Sequence, residues 1–291
     1  MDWLHEISKG NLLVSDGAMG TMLQSMGLQA GQCPESRNLT HPEEVQQVHR
    51  AYLEAGAQLL TTNTFGGNRL RLMAHNVNGH ELLKEINRRA VELAREVAGD
   101  SAAVIASVGP TGELMEPLGD LSEEQAYEVF SEQMAALQEG GADTVILETF
   151  MALEEIVVAL RAARSLGLKV IASMSFAANQ RTMMGVTPEQ AATTLMQEGA
   201  AVVGANCSTG AQEMVPVIQR MRGAVSIPLI AQPNAGMPVL QGGRAVYTQK
   251  PEEMAEFAPQ FVEAGARIIG SCCGSTPEFT RAIVAALHRL R

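Results

Sequence analysis

Several features that would mark other classes of protein are scarce in this 291-residue chain. Only four residues are cysteine, too few for a secreted disulfide scaffold of this length. Aromatic residues make up 4%, and no uninterrupted apolar run approaches the roughly 20 residues of a membrane span. The first residues also lack the basic and apolar regions of a signal peptide. We therefore expect a cytoplasmic protein with no membrane partner.

The chain has no cluster of lysine and arginine either. Its formal net charge is −11, from 21 basic and 32 acidic residues. An acidic protein without a basic patch is a poor match for nucleic acid, so we expect no nucleic-acid partner. Hydrophobic residues make up 46%, which is ample for a large core. The length suits either two domains or one α/β barrel.

Eight short apolar segments recur along the chain, with amphipathic helical patterns between them. Near-continuous apolar strands are typical of a parallel sheet that is covered on both faces. Eight strand–helix alternations favour a single (β/α)8 TIM barrel over a doubly wound sheet, and we expect residues 1–291 to form this one domain. The predicted strands are 12–16, 58–62, 103–108, 144–147, 169–174, 202–207, 228–232 and 267–269.

Helix boundaries can also be predicted from local signals. Thr40 and Ser122 stand where N-caps are expected, and Gln125 would complete a capping box with Ser122. A Glu and a Gly–Ala step recur just before the second, fourth, sixth and eighth strands. Each glycine is placed to end a helix in the left-handed conformation. These glycines are Gly56, Gly141, Gly199 and Gly265.

Polar residues gather at the carboxyl ends of the predicted strands, where barrel enzymes carry their chemistry. Three of them are cysteines: Cys207 ends the sixth strand, and Cys272 and Cys273 follow the eighth. Three neighbouring thiolates suit Zn²⁺ and leave a fourth position open, as catalytic zinc sites do. Buried small side chains, or a vicinal disulfide, are the alternatives. The strand-end residues are Asp16, Asn63, Glu148, Asn206, Cys207, Asn234, Cys272 and Cys273.

The other strand-end groups suit an amino-acid substrate. Asp16 precedes Gly17 and Ala18, whose amides at a helix start could bind a carboxylate, although Asp16 could equally punctuate a turn. Glu148 could bind a substrate ammonium group or pair with an arginine. Asn234 is either a turn residue or, through its amide oxygen, the fourth zinc ligand when substrate is absent. Residue types alone leave these readings open.

The motifs as a set resemble the homocysteine S-methyltransferase family, in order and over nearly the whole chain. The variant is most similar to the N-terminal homocysteine-binding module of cobalamin-dependent methionine synthases. The motifs are Asp16-Gly17-Ala18-Met19-Gly20-Thr21, Asn63-Thr64-Phe65, Gly109-Pro110-Thr111-Gly112-Glu113, Glu148-Thr149-Phe150, Asn206-Cys207-Ser208, Pro233-Asn234-Ala235-Gly236 and Gly270-Ser271-Cys272-Cys273-Gly274.

The resemblance implies a zinc-dependent methyl transfer to the thiol of homocysteine, giving methionine. It implies that the three cysteines bind Zn²⁺ and that the amino-acid end of homocysteine is held by Asp16, Gly17, Ala18 and Glu148. The implied donor is a methylcorrinoid such as methylcobalamin, delivered by another domain or protein. The corrin-binding pattern Asp-x-His-x-x-Gly is absent from the chain, so we expect it to hold only the methyl-acceptor half.

Two alternative functions remain. One keeps the methyl transfer but changes the methyl donor, and the other is a different class of protein. Betaine, S-methylmethionine or another onium compound could donate the methyl group directly. Betaine-using relatives carry an aromatic residue after the Thr-Phe of the second strand, where this chain has Gly66. A zinc or thiol redox sensor is the more distant alternative, and it would need an exposed cysteine loop.

Overall fold

Eight parallel strands form a barrel in this computed structural model, which describes residues 1–29, 31–241 and 244–290. The predicted (β/α)8 fold is confirmed, and each predicted strand overlaps an observed one. An antiparallel hairpin between the seventh and eighth barrel strands was not predicted. In chain order the strands are β1 Leu13–Val14, β2 Leu59–Thr61, β3 Ala103–Val108, β4 Thr144–Phe150, β5 Lys169–Met174, β6 Val202–Asn206, β7 Leu229–Gln232, the hairpin β8 Val239–Gln241 and β9 Arg244–Val246, and β10 Ala266–Ile269.

Hydrogen bonds run continuously around the barrel in the order β1-β10-β7-β6-β5-β4-β3-β2. A parallel bridge between Ser15 and Leu59 brings the two ends of this sheet together, with the Gln58 amide donating to the Val14 carbonyl at 2.8 Å. The sheet therefore closes on itself. Because β7 lies between β6 and β10, the ends of these three strands are neighbours on one rim.

Helices cover the outside of the barrel, and two of the predicted caps can be compared with them. Ser122 caps its helix through a capping box with Gln125, as predicted. Thr40 is not an N-cap: it ends a short helix, and Pro42 at the next helix start leaves His41 at the cap. The helices are α1 Trp3–Ser8, α2 Met19–Ser25, α3 Arg37–Thr40, α4 Pro42–Glu54, α5 Arg69–Ala74, α6 His80–Ala98, α7 Glu123–Glu139, α8 Leu153–Ser165, α9 Pro188–Gln197, α10 Ala211–Ala224, α11 Pro251–Ala255, α12 Ala258–Glu263 and α13 Pro277–His288.

The four glycines predicted to end helices all adopt the left-handed conformation, with φ between 98° and 100°. At the end of α4, the Gly56 amide donates to Leu53 and the next amide donates to Tyr52, which is a Schellman motif. A side chain at these positions would strain the backbone. Each glycine thus turns the chain from a helix directly into the next strand.

The barrel interior changes from apolar to polar along its axis. Every barrel strand sends an aliphatic side chain into the part of the barrel near the amino-terminal ends of the strands. Trp3 and Ile7 of α1 close the barrel at that end. The Trp3 indole donates to the Thr144 hydroxyl at 3.2 Å, which fixes this plug. Toward the carboxyl ends, buried polar side chains such as Ser107 and Ser173 replace the aliphatic ones. The fold therefore confines its polar interior to the rim that carries the predicted site.

The helices of the model give no indication of a membrane span. In the part of the chain that the structure describes, none combines the length and the apolar character that a crossing needs.

Candidate metal and substrate site

The three cysteines meet at the rim formed by β6, β7 and β10. Cys207 follows β6 directly, Cys272 and Cys273 follow β10, and their sulfur atoms all lie within 4.8 Å of one another. The sulfurs of Cys207 and Cys273 are 3.9 Å apart. All three residues are partly buried and none forms a disulfide. The prediction that these three residues lie close together is confirmed by the distances between their sulfur atoms.

Backbone hydrogen bonds hold the cysteine segments around the segment that follows β7. The Cys272 amide donates to the Pro233 carbonyl at 2.8 Å, and the Ala235 amide donates to the Cys273 carbonyl at 3.0 Å. On the other side, the Asn234 amide donates to the Thr209 carbonyl at 3.0 Å. Residues 233–235 are thus fixed between the two cysteine segments, which places Asn234 beside the sulfurs.

Glycine flanks the adjacent cysteines for a steric reason. A Cβ atom at position 270 would lie 1.9 Å from the Ser15 hydroxyl oxygen, so only glycine lets β10 approach the end of β1. Gly274 has a φ of +80°, and a Cβ atom there would lie 2.1 Å from Cγ of Tyr247. These two close approaches fix the course of the cysteine segment.

The ends of β4 and β6 are also in an uncommon backbone conformation. Thr149, Cys207 and Ser208 have φ of 66°, 59° and 60°, in the left-handed region that non-glycine residues rarely adopt. Asn206 compensates at β4, because its Oδ1 accepts from the Thr149 amide at 2.9 Å and its Nδ2 donates to the Thr149 hydroxyl at 2.8 Å. Such local strain is typical of functional sites that their surroundings hold in place.

The electrostatics of the cysteine cluster favour a bound cation. Hydrogen bonds from the Cys272 and Cys273 thiols lower the pKa of Cys207 to about 3. The same contacts with Cys207 raise the pKa of Cys272 well above its usual value and the pKa of Cys273 to about 12. The cluster can therefore carry one negative charge by itself. Holding three thiolates together requires a positive partner, which a divalent metal supplies.

Asn234 completes a donor set that fits zinc. Its Oδ1 atom is buried with no hydrogen-bond partner among the described residues. An unpartnered buried oxygen is costly unless something binds it. Three sulfurs and one neutral oxygen at one point match the ligand number and chemistry of zinc.

Two carboxylates lie near each other at the ends of β1 and β4. Burial raises the pKa of Asp16 to about 7 despite hydrogen bonds from the Thr61 amide and hydroxyl, and the nearby charge of Glu148 raises it further. Burial likewise raises the pKa of Glu148 to about 7, although the Ser107 hydroxyl donates to it. Two carboxyl groups that destabilise each other's charge form a site for a cation such as an ammonium group.

The other predicted residues are placed less simply. Ala18 is the N-cap of α2, and its amide donates to the Ser275 hydroxyl at 3.1 Å, so this amide already has a partner. Gly17 packs beside Ser271, Ser275 and Tyr52, where a Cβ atom would lie within 2.9 Å of all three hydroxyl groups. Both residues lie at the end of β1, next to Asp16.

Two strand-end or loop residues lie outside the cysteine cluster. Asn63 donates to the Pro34 carbonyl at 2.8 Å and to Asn38, so it ties a rim segment to β2. Cys33 is buried among Leu72 and other apolar residues, and its thiol donates to Glu35, which agrees with a structural role.

Sequence reasoning assigned no role to two side chains that lie beside the cysteine segments. Asn206 was noted only as a strand-end polar residue; its Nδ2 lies 3.5 Å from Glu148 Oε2 and 4.0 Å from the Cys272 sulfur. Tyr247 packs against Gly274, the residue after Cys273, from the loop after the hairpin. Asn206 could have been found from its place just before Cys207, whereas no local pattern marks Tyr247.

Comparisons with known proteins agree with this geometry. The family model described as homocysteine S-methyltransferase matches residues 13–287, which is nearly the whole chain. The chain belongs to the homocysteine S-methyltransferase family. Relatives in this family include the methionine synthase of Mycobacterium leprae (strain TN), 32% identical over 297 residues, covering 96% of this chain and 24% of that protein. The methionine synthase of Mycobacterium tuberculosis (strain ATCC 25618 / H37Rv) is 30% identical and is covered to 26%.

The chain therefore spans about a quarter of the length of these methionine synthases. Among solved structures, the homocysteine methyltransferase MmuM from Escherichia coli in its metallated form superposes with a TM-score of 0.82 at 24% identity. The match covers 97% of this chain and 98% of that chain. The oxidized form of the same protein gives a TM-score of 0.81. At this identity the likeness establishes the family's barrel fold.

Proposed function

We propose that this barrel binds zinc and homocysteine and transfers a methyl group to the homocysteine sulfur, giving methionine. The observation that carries the proposal is the placement of two complementary sites on one rim. Cys207, Cys272 and Cys273 offer a metal site, and Asp16 and Glu148 offer a cation site. Homocysteine carries a thiol at one end and an ammonium group at the other, so its two ends match these two groups in chemistry.

The protein residues around the metal have a defined task in this proposal. Zinc, when bound by Cys207, Cys272 and Cys273, supplies the charge that keeps a substrate thiol deprotonated at neutral pH. Asn234 holds the fourth position in the resting state through its Oδ1 atom, which otherwise has no partner among the described residues. Because a neutral amide oxygen binds zinc more weakly than a thiolate, a substrate thiol would compete with Asn234 for that position.

The amino-acid end of the substrate is held by the first and fourth strands. The ammonium group lies between Asp16 and Glu148 and relieves their mutual repulsion. The carboxylate is bound by the amides of Gly17 and Ala18. The Ala18 amide now donates to the Ser275 hydroxyl, which itself donates to the Cys272 carbonyl at 2.8 Å. If the Ala18 amide turns to the substrate, the Ser275 hydroxyl keeps its bond to Cys272. No general base is needed once the thiol has lost its proton.

A methylcorrinoid, delivered by another domain or protein, is the proposed methyl donor, and residues 1–291 are the methyl-acceptor module. The similarity to methionine synthases supports this choice. The loop after the second strand counts against betaine alone, because Gly66 stands where betaine-using relatives carry an aromatic residue. Free thiolates favour a reducing compartment, so we retain the cytoplasm as the proposed location.

Product analysis tests the proposal. The zinc-loaded protein is incubated with homocysteine and, separately, methylcobalamin, betaine or S-methylmethionine, with Cys273→Ala as the matched control. We expect methionine from methylcobalamin with the wild type and none above background with the variant. Methionine from betaine or S-methylmethionine alone would replace the proposed donor. Absence of methionine with every donor would contradict the proposed function.

A further inference from the structure

Strand β4 is irregular at Glu148, one of the two residues proposed to bind the substrate ammonium group. Strands β4 and β5 pair regularly up to Leu147 and again at Phe150, and between these pairs Glu148 and Thr149 together oppose the single residue Ser173. Such a β-bulge changes the direction of side chains and is common next to active sites. The direction of the Glu148 side chain therefore depends on what holds this bulge.

A side chain from β6 bonds both sides of the bulge. Asn206 Oδ1 accepts from the Thr149 amide and from the Ser173 hydroxyl, both at 2.9 Å. Asn206 Nδ2 donates to the Thr149 hydroxyl at 2.8 Å. Asn206 is fully buried, where hydrogen bonds are costly to lose. One amide side chain thus reaches across β5 and fixes the end of β4.

The same amide lies beside both halves of the proposed site. Asn206 Nδ2 is 3.5 Å from Glu148 Oε2 and 4.0 Å from the Cys272 sulfur. The other oxygen of Glu148 accepts from the Ser107 hydroxyl on β3. The Glu148 carboxyl group therefore lies between β3 and Asn206, while Cys207 directly follows Asn206 in the chain. The strand that leads to a proposed metal ligand thus also contacts the proposed ammonium ligand.

We propose that Asn206 is a positioning residue, which holds the bulge so that the Glu148 carboxylate faces the ammonium group of homocysteine. The inference rests on the ammonium site of the proposed function. Thr149 directly follows Glu148 and has a φ of 66°, which a β-branched residue rarely adopts. Without the bonds to Asn206, Thr149 relaxes from this conformation and Glu148 turns with it. The cysteines keep their places, because backbone bonds such as the one at 3.0 Å from the Cys207 amide to the Gln232 carbonyl hold them.

Two thiols that differ only in the ammonium group separate this role from a general structural one. Homocysteine carries the ammonium group, and 4-mercaptobutyrate has the same thiol and carboxylate without it. Calorimetry measures the affinity of the zinc-loaded protein for each thiol. Metal analysis gives the zinc content of every variant, and far-UV circular dichroism shows whether it folds.

Two variants weaken the contact by different amounts. Asn206→Ala removes the whole amide, and Thr149→Val removes only the hydroxyl that accepts from it. Asn87→Ala is the matched control, because Asn87 on α6 is equally buried and donates to the carbonyls of Gly67 and Leu83.

We expect Asn206→Ala to keep the wild-type zinc content, to lose about tenfold in affinity for homocysteine, and to bind 4-mercaptobutyrate within about twofold of the wild type. Thr149→Val should show the same selective loss at about threefold, and Asn87→Ala should show none.

Equal losses for both thiols, unchanged affinities or a loss of zinc in Asn206→Ala would overturn the inference. If Asn206→Ala does not fold, Thr149→Val decides, and the absence of a selective loss there would overturn the inference. A wild type that binds the two thiols equally would contradict the ammonium site of the proposed function, and this inference with it.

Discussion

Glu148→Gln tests whether the charge of a carboxyl group proposed to bind the substrate lowers the stability of the folded protein. Burial raises the pKa of Glu148 from its ordinary 4.5 to about 7. The folded protein thus binds this proton more tightly than the unfolded chain does. The stabilising contribution is complete below about pH 4.5 and is lost as the pH rises through about 7. Glutamine does not titrate, so the variant escapes this loss.

The size of the effect follows from the pKa. A rise of this size corresponds to about 3 kcal/mol at about 1.4 kcal/mol per pKa unit. Since Glu148 is only partly buried by surface area, about 2 kcal/mol is the better expectation. Glutamine can still accept from Ser107. Asp16→Asn is a poorer choice, because both Asp16 oxygens accept from Thr61 and an amide nitrogen would face a donor.

Urea unfolding in the presence of a chelator measures this difference, with the fluorescence of Trp3, the single tryptophan, as the signal. At about pH 8, Glu148→Gln should exceed the wild type by about 2 kcal/mol in free energy of unfolding, and near pH 4.5 the two should agree. The exposed Glu256→Gln serves as the control and should show no such pH dependence. A stability difference for Glu148→Gln that stays constant from acid to alkaline pH would refute the reasoning.

The remaining predictions concern the metal. Replacing Cys207, Cys272 or Cys273 singly by alanine should abolish zinc binding and methyl transfer together, because three ligands leave no redundancy; full zinc occupancy in all three variants by metal analysis would contradict the site. Chelation should leave the far-UV circular dichroism nearly unchanged, because the barrel core is built without the metal, and loss of most of the signal would indicate a structural site instead. Asn234→Ala should keep its zinc, exchange the amide oxygen for water and change its homocysteine affinity; calorimetry showing wild-type affinity would count against Asn234 as a ligand.

The barrel could be predicted because each strand carries its own signal. The strands are short apolar runs, and left-handed glycines such as Gly56 and Gly265 stand just before two of them. Helix α1 has six residues, too few for a clear periodicity, and among the described residues the strands of the hairpin β8–β9 pair with each other and with no barrel strand. Neither element leaves the repeating pattern that identified the barrel.

The site could be predicted only where residues lie at strand ends. Closure of the barrel brings Cys207 to Cys272 and Cys273, so strand order alone predicted the cluster. Side-chain contacts between neighbouring strands could not be predicted from the positions of the strand ends. The short bond from Ser107 to Glu148 depends on the register of two strands, and Tyr247 reaches Gly274, next to Cys273, from a loop whose path no local pattern specifies.

X-ray absorption at the zinc edge, without and with homocysteine, tests most directly whether the substrate thiol reaches the metal. We expect three sulfur ligands and one oxygen or nitrogen ligand in the resting protein, and four sulfur ligands after homocysteine is added. The sulfur count should rise by one without a change in total coordination, since the new ligand displaces the Asn234 oxygen. Three sulfur ligands in both states, at saturating homocysteine, would show that the substrate thiol does not bind the metal.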